Sequence, residues 1–361
     1  MKIESVRAYA FSIPSKRPSS EVPWVWGDLA QVYVEVRTAD GLVGYGEAFA
    51  YGVPKATASV VNDTLRPLLE GEDATRIKAL THKMFQRTHI FGRHGITTFA
   101  IGGVEMALWD LAGKRAGMPL YDLLGGAGSK QVPAYASLVR YPEEHSLIAE
   151  QSAQAVKEGY TMIKLHQITA PSVEMSRKVI GDDIPITVDI NCEWSPFDAI
   201  RMAVEMNEYD LLWLEEPVWP PEDFKGLATV QATGGVPLAA GENACTLHPF
   251  REMMEAEAVS FVQPSVIKVG GIAEFLKVAQ LADLMGFELA PHSPYFGPGF
   301  LATLHLIAHT GQARWVEKIY FDLEVDLFKG DLKFANGSYT LPEGPGLGLD
   351  LNLDALKQYA L

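Results

Sequence analysis

Basic residues are scarce in this chain, cysteine is nearly absent, and no apolar run is long enough to cross a bilayer. Its 361 residues carry 30 Lys and Arg against 45 Asp and Glu, a formal net charge of −15. A surface of that sign repels phosphate backbones and anionic lipids, which argues against nucleic acid and membrane partners. It leaves a small anionic substrate open, because a pocket can be locally positive inside an acidic protein. The two cysteines, Cys192 and Cys245, allow at most one disulfide, and a core of this size does not need one. At the N-terminus Glu4 and Arg7 interrupt the apolar stretch, so no signal peptide is expected. These features together suggest a reduced, cytoplasmic protein.

The apolar fraction of 48% and charged fraction of 21% suit a folded chain of one large or two modest domains. Residues 1–125 mix strands and helices without a steady period. Lys2–Ile13, Val32–Thr38 and Leu42–Glu47 read as strands, the last two joined by a turn at Ala39-Asp40-Gly41. A helix is expected over Thr97–Ala116, with Phe99, Val104, Leu108 and Leu111 on one stripe and Gly117 ending it. Pro14–Gly27, bearing Trp24 and Trp26, and Tyr51–Pro54 read as loops.

From residue 126 to 324 short apolar segments recur at roughly 25-residue spacing, each followed by a helical pattern. The expected strands are Val132–Val139, Met162–His166, Ile186–Asn191, Leu211–Pro217, Pro237–Asn243, Phe261–Val269, Glu288–Ser293 and Trp315–Tyr320. A parallel barrel is the economical architecture for such units, with its active site at the C-terminal strand ends. Residues 325–361, with a hairpin expected at Asn336-Gly337, form a tail expected to return to the N-terminal region.

Three acids end three successive strands: Asp189 in Val-Asp-Ile-Asn, Glu215 in Trp-Leu-Glu-Glu-Pro and Glu242 in Ala-Gly-Glu-Asn. Any one alone could be a helix cap or a solvated loop residue. Neighbouring strands lie about 4.8 Å apart, so three in register approach one centre, where their mutual repulsion calls for a cation. Oxygen-only ligands select a hard ion, Mg²⁺ by default. Basic groups face this centre. Lys164 and His166 lie two apart on one strand and point to the same side; His292 ends a later strand in Ala-Pro-His-Ser. Histidine titrates near neutrality and can remove or return a proton. Metal and bases together suit the formation of an enolate from a carboxylic acid.

These motifs resemble those of the enolase superfamily, specifically the mandelate racemase and muconate lactonizing enzyme family, over nearly the whole chain. The resemblance implies a (β/α)7β-type TIM barrel under an α+β capping domain built from the N-terminal region and the C-terminal tail. It implies Mg²⁺ held by Asp189, Glu215 and Glu242, with Asn191 and Glu216 supporting them and Lys268 of Ile-Lys-Val-Gly-Gly adding positive charge nearby. His292 matches the family's histidine base, and Glu317 of Trp-Val-Glu-Lys the acid that hydrogen-bonds the enolate from the opposite edge. Homo-oligomers are also implied.

Two positions depart from the family pattern. Where the racemase-like branch has Lys-x-Lys, this chain has Lys164 and His166; Lys164 is then expected to bind the substrate carboxylate and His166 to do acid or base work. Where the family orients its histidine with an aspartate, this chain has Ser265 in Gln-Pro-Ser-Val, which carries no charge and is expected at the substrate. Trp24, Trp26 and Tyr51 are candidates to stack on a sugar from the capping loops.

The expected reaction is abstraction of the α-proton of a sugar-derived acid followed by β-elimination. A leaving hydroxyl makes the protein a dehydratase; a leaving ring ether makes it a cycloisomerase of an anhydro sugar acid. The alternatives are racemisation or epimerisation of a small carboxylate, and a metal-binding barrel without catalysis.

Overall fold

The computed structural model describes residues 1–16, 28–141 and 145–361. Trp24 and Trp26, with most of the expected loop around them, lie outside the described residues.

Three antiparallel strands open the chain: β1 (Ile3–Ile13), β2 (Leu29–Thr38) and β3 (Val43–Ala48). Against them packs the helix Ile96–Ala116, which ends at Gly117 in the left-handed conformation (φ 67°). This helix is buried on almost every side, including Thr97, Ala100, Gly103, Glu105 and Asp110, so the single apolar stripe read from the sequence understates it. The cause is its position between two layers. On one side Gly46 of β3 approaches so closely that an added Cβ would sit 2.0 Å from the Gly103 carbonyl oxygen. On the other, Glu105 accepts hydrogen bonds from the Ile272 and Ala273 N–H groups (2.7 and 3.0 Å), capping a helix of the barrel. Glu47 of β3 does the same for the Gly299 N–H (2.8 Å). Buried carboxylates on helix N-termini thus fasten the two parts together.

The barrel strands are β4 (Gln131–Ser137), β5 (Ile163–Leu165), β6 (Ile186–Asp189), β7 (Leu211–Glu215), β8 (Leu238–Ala240), β9 (Phe261–Val262), β10 (Glu288–Leu289) and β11 (Val316–Ile319). They pair in parallel from β4 through β10, and β11 returns to β4. Seven helices, His145–Lys157, Ala170–Ile180, Pro196–Met206, Phe224–Thr233, Leu247–Glu255, Ile272–Met285 and Pro298–Thr310, separate consecutive strands. The architecture is the (β/α)7β barrel with a cap. Each strand is shorter than its apolar segment in the sequence. Phe261–Val269 differs most: pairing stops at Val262, and Ser265–Val269 folds into a turn whose Lys268 and Val269 N–H groups bond the Ser265 carbonyl. Val266, Ile267 and Val269 are apolar because the turn is buried in the barrel's own core, beside Ile272, Phe275 and Phe300, not because a strand continues.

After β11 the tail pairs with the N-terminal sheet region, Ser15 with Leu323 and Phe11 with Ala360. Its hairpin, β12 (Phe334–Ala335) and β13 (Ser338–Thr340), turns at Asn336-Gly337 and adds antiparallel to the start of β4.

Candidate active site

At the C-terminal strand ends lies a cavity of about 400 Å³. Lys164, His166, Asp189, Asn191, Glu216, Glu242, Asn243, Lys268, His292 and Glu317 line its polar side, and Phe49, Tyr51 and Phe99 of the cap line the other. Asp189 and Glu215 are the last residues of β6 and β7 and stand opposite one another in the parallel register. Glu242 lies two residues past β8, carried inward by Gly241, whose φ of 135° a side chain would oppose. One oxygen ligand atom from each of the three acids lies within 4.8 Å of the others.

Lys164 Nζ sits at the hub. It contacts Glu215 Oε1 at 2.6 Å, Asp189 Oδ2 at 2.9 Å and Glu317 Oε1 at 3.1 Å, fully buried. Burial opposes its charge, but these three carboxylates outweigh burial and raise its pKa well above the usual lysine range. Lys268 Nζ is placed beside Glu242 Oε1 (3.3 Å) and Asn243 Oδ1 (3.0 Å), over the ring of Phe49. Two ammonium groups therefore face five carboxylates: Asp189, Glu215, Glu216, Glu242 and Glu317.

That imbalance appears in their ionisation. Burial opposes the charge on Asp189, yet Lys164 and His166 bring its pKa down to about 2. His292 and Lys268 likewise hold Glu242 well below the carboxylate range against burial. Burial pushes Glu215 up to about 7 despite Lys164, with Asp189, Glu317 and Glu242 adding to the rise. Burial and the charges of Glu242 and Asp189 push Glu216 up to about 8. Fully ionised, the five acids would carry more charge than the two ammonium groups offset, and burial keeps protons on Glu215 and Glu216 instead. A divalent cation among Asp189, Glu215 and Glu242 suits both the charge deficit and the hard oxygen donors.

Neighbours aim these acids. Asn191, held at φ 50°, donates to Asp189 Oδ1 through both its backbone N–H (2.8 Å) and its side chain (2.7 Å). Trp213 Nε1 donates to Glu215 Oε2 (3.0 Å), and Asn243 Nδ2 to Glu216 Oε2 (2.6 Å). Glu317 Oε2 accepts the Ser293 N–H at 3.0 Å. Lys164 and His292, with the Ser293 N–H, hold Glu317 below the usual range against burial. Glu317 accepts in both of these contacts, from Lys164 Nζ and from the Ser293 N–H.

The histidines flank the cluster from two directions. His166 Nδ1 meets the Leu138 carbonyl oxygen at 2.5 Å, which can only accept, so Nδ1 carries the proton and Nε2 faces Asp189 Oδ2 at 3.4 Å. His292 Nε2 lies 2.7 Å from Glu242 Oε2, and its Nδ1 faces the hydroxyl of Tyr295 at 3.3 Å.

One sequence expectation changes. Ser265 does not line the cavity. It is fully buried, and its Oγ bonds the hydroxyl of Tyr295, which stands between it and His292. Tyr51 lines the cavity, its hydroxyl donating to the Pro294 carbonyl (2.6 Å) and its ring forming part of the wall. Tyr295, Phe49, Phe99, Trp213 and Asn243 were not singled out from the sequence. Phe99 was read only as part of the helical stripe; the others lie in loops, at the end of β3 or behind the acids, where no periodicity marks them as site residues.

Residues 25–125 match the description "Mandelate racemase / muconate lactonizing enzyme, N-terminal domain", and residues 147–355 match "Enolase C-terminal domain-like". The chain is 36% identical over 340 residues to an arabinonate dehydratase of Saccharolobus solfataricus, covering 91% of this chain and 90% of that one. It is 31% identical over 370 residues to a 3,6-anhydro-alpha-L-galactonate cycloisomerase of Streptomyces coelicolor, covering 99% of both. A crystal structure of a Streptomyces coelicolor racemase with bound magnesium superposes with a TM-score of 0.91 at 29% identity, covering 99% of this chain and 100% of that one. The capped barrel is thus a shared architecture. The chain belongs to the mandelate racemase/muconate lactonizing enzyme family of the enolase superfamily.

Proposed function

We propose that this protein is a Mg²⁺-dependent enzyme that removes the α-proton of a sugar-derived carboxylic acid and expels a β-oxygen, as a dehydratase or an anhydro-sugar-acid cycloisomerase. The observation that carries this reading is the pair of histidines, each presenting Nε2 to the same carboxylate cluster within one cavity. The cavity volume, about 400 Å³, lies within the range of small-molecule sites. The chain is also similar to proteins named for both reactions.

A divalent cation held by Asp189, Glu215 and Glu242 would supply the positive charge that makes ionisation beside a carboxylate feasible. Lys164 and Lys268 add fixed positive charge where the substrate carboxylate binds. One histidine takes the α-proton on Nε2. The other, protonated on Nε2, donates to the departing oxygen. Glu317 holds the Lys164 ammonium from the opposite edge of the site (3.1 Å). The cap rings of Phe49, Tyr51 and Phe99 exclude water from the cavity's other side. Loss of a hydroxyl gives a 2-keto-3-deoxy acid; loss of a ring ether opens the ring with no water released.

The flanking histidines also suit a second reading, epimerisation, in which one removes and the other returns a proton at a single carbon. Incubation in D₂O with Mg²⁺ across a panel of aldonic, aldaric and anhydro sugar acids separates the readings. Deuterium at the α-carbon with a keto acid or opened ring supports elimination; inversion without keto acid supports epimerisation. No exchange and no product with any acid removes both and favours a metal-binding barrel without catalysis. The proposal includes a homo-oligomeric cytoplasmic enzyme, which light scattering after size exclusion tests for assembly.

A further inference from the structure

His292 lacks the aspartate that the resemblance leads one to expect behind it, and Ser265 does not reach it. What does reach it is Tyr295. Its hydroxyl lies 3.3 Å from His292 Nδ1 and 2.9 Å from the carbonyl oxygen of His292 itself, and it also bonds Ser265 Oγ. All three residues are buried.

Hydrogen-bond bookkeeping determines who donates. A carbonyl oxygen only accepts, so the single phenolic proton of Tyr295 is committed to the His292 carbonyl. The phenolic oxygen then has lone pairs alone to offer. Its remaining neighbours, His292 Nδ1 and Ser265 Oγ, must both donate to it. Ser265 is held for this by the turn at its own carbonyl, which accepts the Lys268 and Val269 N–H groups at 2.9 and 2.7 Å. Tyr295 is held by a bond from its own N–H to the Ser293 carbonyl (2.6 Å). Its ring meets that of His292 edge-on, at 78°.

We propose that Tyr295, seated on Ser265, is a positioning residue that keeps the proton of His292 on Nδ1 and so confines proton exchange to Nε2, the atom facing the site. An uncharged phenol thereby takes over the orienting task of a carboxylate without adding a sixth carboxyl group to the five already clustered there. His166 reaches the same tautomer through the Leu138 carbonyl. Their Nε2 atoms differ: that of His166 faces Asp189 at 3.4 Å, whereas that of His292 lies 2.7 Å from the Glu242 carboxylate, which only accepts. In this geometry His292 Nε2 donates to Glu242 while Nδ1 donates to Tyr295, and the proton open to exchange is the one on Nε2.

The catalytic consequence rests on the proposed role of His292 in proton transfer, whereas the tautomer does not, and one experiment on Mg²⁺-loaded protein reads both. Long-range ¹H–¹⁵N correlation on ¹⁵N-histidine-labelled protein, with His292 assigned from His292→Asn, should show its neutral ring protonated on Nδ1. In Tyr295→Phe, which keeps the ring and loses the hydroxyl, the His292 signals should shift toward the Nε2–H tautomer, and in Ser265→Ala by a smaller amount. On whichever sugar acid is turned over, Tyr295→Phe should lower kcat by roughly 10–100-fold with KM within about twofold. An Nε2–H tautomer in the wild type, or unchanged His292 signals in Tyr295→Phe, overturns the proposal. Wild-type inactivity on every sugar acid, with the tautomer still dependent on Tyr295, sinks the proposed reaction and upholds the positioning role.

Discussion

Lys164 Nζ lies 2.6 Å from Glu215 Oε1, and both side chains are buried on the floor of the site. This contact makes the lysine a structural counter-charge as well as a candidate for holding substrate. Its ammonium is shared among Glu215, Asp189 and Glu317, which without it would face one another across a desolvated space.

Removing that charge should therefore act on stability before it acts on substrate. Lys164→Met is expected to destabilise the protein by roughly 3–5 kcal/mol in EDTA, the cost of stranding buried carboxylates. Mg²⁺ should recover much of the loss. Thermal denaturation of wild type and variant, with EDTA or Mg²⁺, checks this; equal midpoints in EDTA contradict it.

Metal removal gives a second prediction. If the three acids bind one divalent ion, saturating Mg²⁺ raises wild-type stability by about 2.7 kcal/mol at a hundredfold excess over Kd. Glu215→Gln and Glu242→Gln should lose most of that increment. Asn191→Ala, which removes only one of two hydrogen bonds to Asp189 Oδ1, should keep a larger share.

The histidines are separable by solvent exchange. His292→Asn and His166→Asn should each lower overall turnover by roughly 10²–10⁴-fold. If elimination is the reaction, one variant retains deuterium exchange at the α-carbon while losing product. The retaining variant identifies its missing histidine as the acid and the other as the base.

Glu47 predicts a pH effect remote from the acids. Burial pushes its carboxyl from an ordinary 4.5 up to about 8, partly opposed by the Gly299 N–H. Between those values the folded state holds a proton that the unfolded chain releases, so this group's contribution to stability falls as pH rises from 4.5 to 8. Glu47→Gln can still accept from Gly299 and has no charge to bury. Its midpoint relative to wild type should therefore improve between pH 5 and pH 8.5, on the order of a few kcal/mol. A constant difference across that range contradicts the account.

The architecture was largely legible because barrel strands are short apolar runs and the acids follow them directly: Val188 before Asp189, Leu214 before Glu215. The same signal overran at Phe261–Val269, where burial in the barrel core makes a turn look like a strand. Helix Ile96–Ala116 looked amphipathic, though contact on both sides buries its polar residues Glu105 and Asp110 as well. Lys164 and His292 were visible at strand ends, but their partners were not. Tyr295 sits in the irregular segment Pro294–Gly297, where spacing says nothing about which side chain returns to which base. Ser265 was matched to a position, and position alone could not show that a phenol would stand between it and the histidine.

Everything in the proposed chemistry depends on a cation among residues 189, 215 and 242, with a sugar acid presented to a histidine. A crystal grown with Mg²⁺ and a turnover-competent or slow acid measures this directly. The account predicts one ion coordinated by oxygens of Asp189, Glu215 and Glu242, and the acid's α-carbon within reach of Nε2 of His292 or His166. Crystals in which Lys164 still fills the space among those acids, with no ion there and the α-carbon out of reach of both rings, would contradict it.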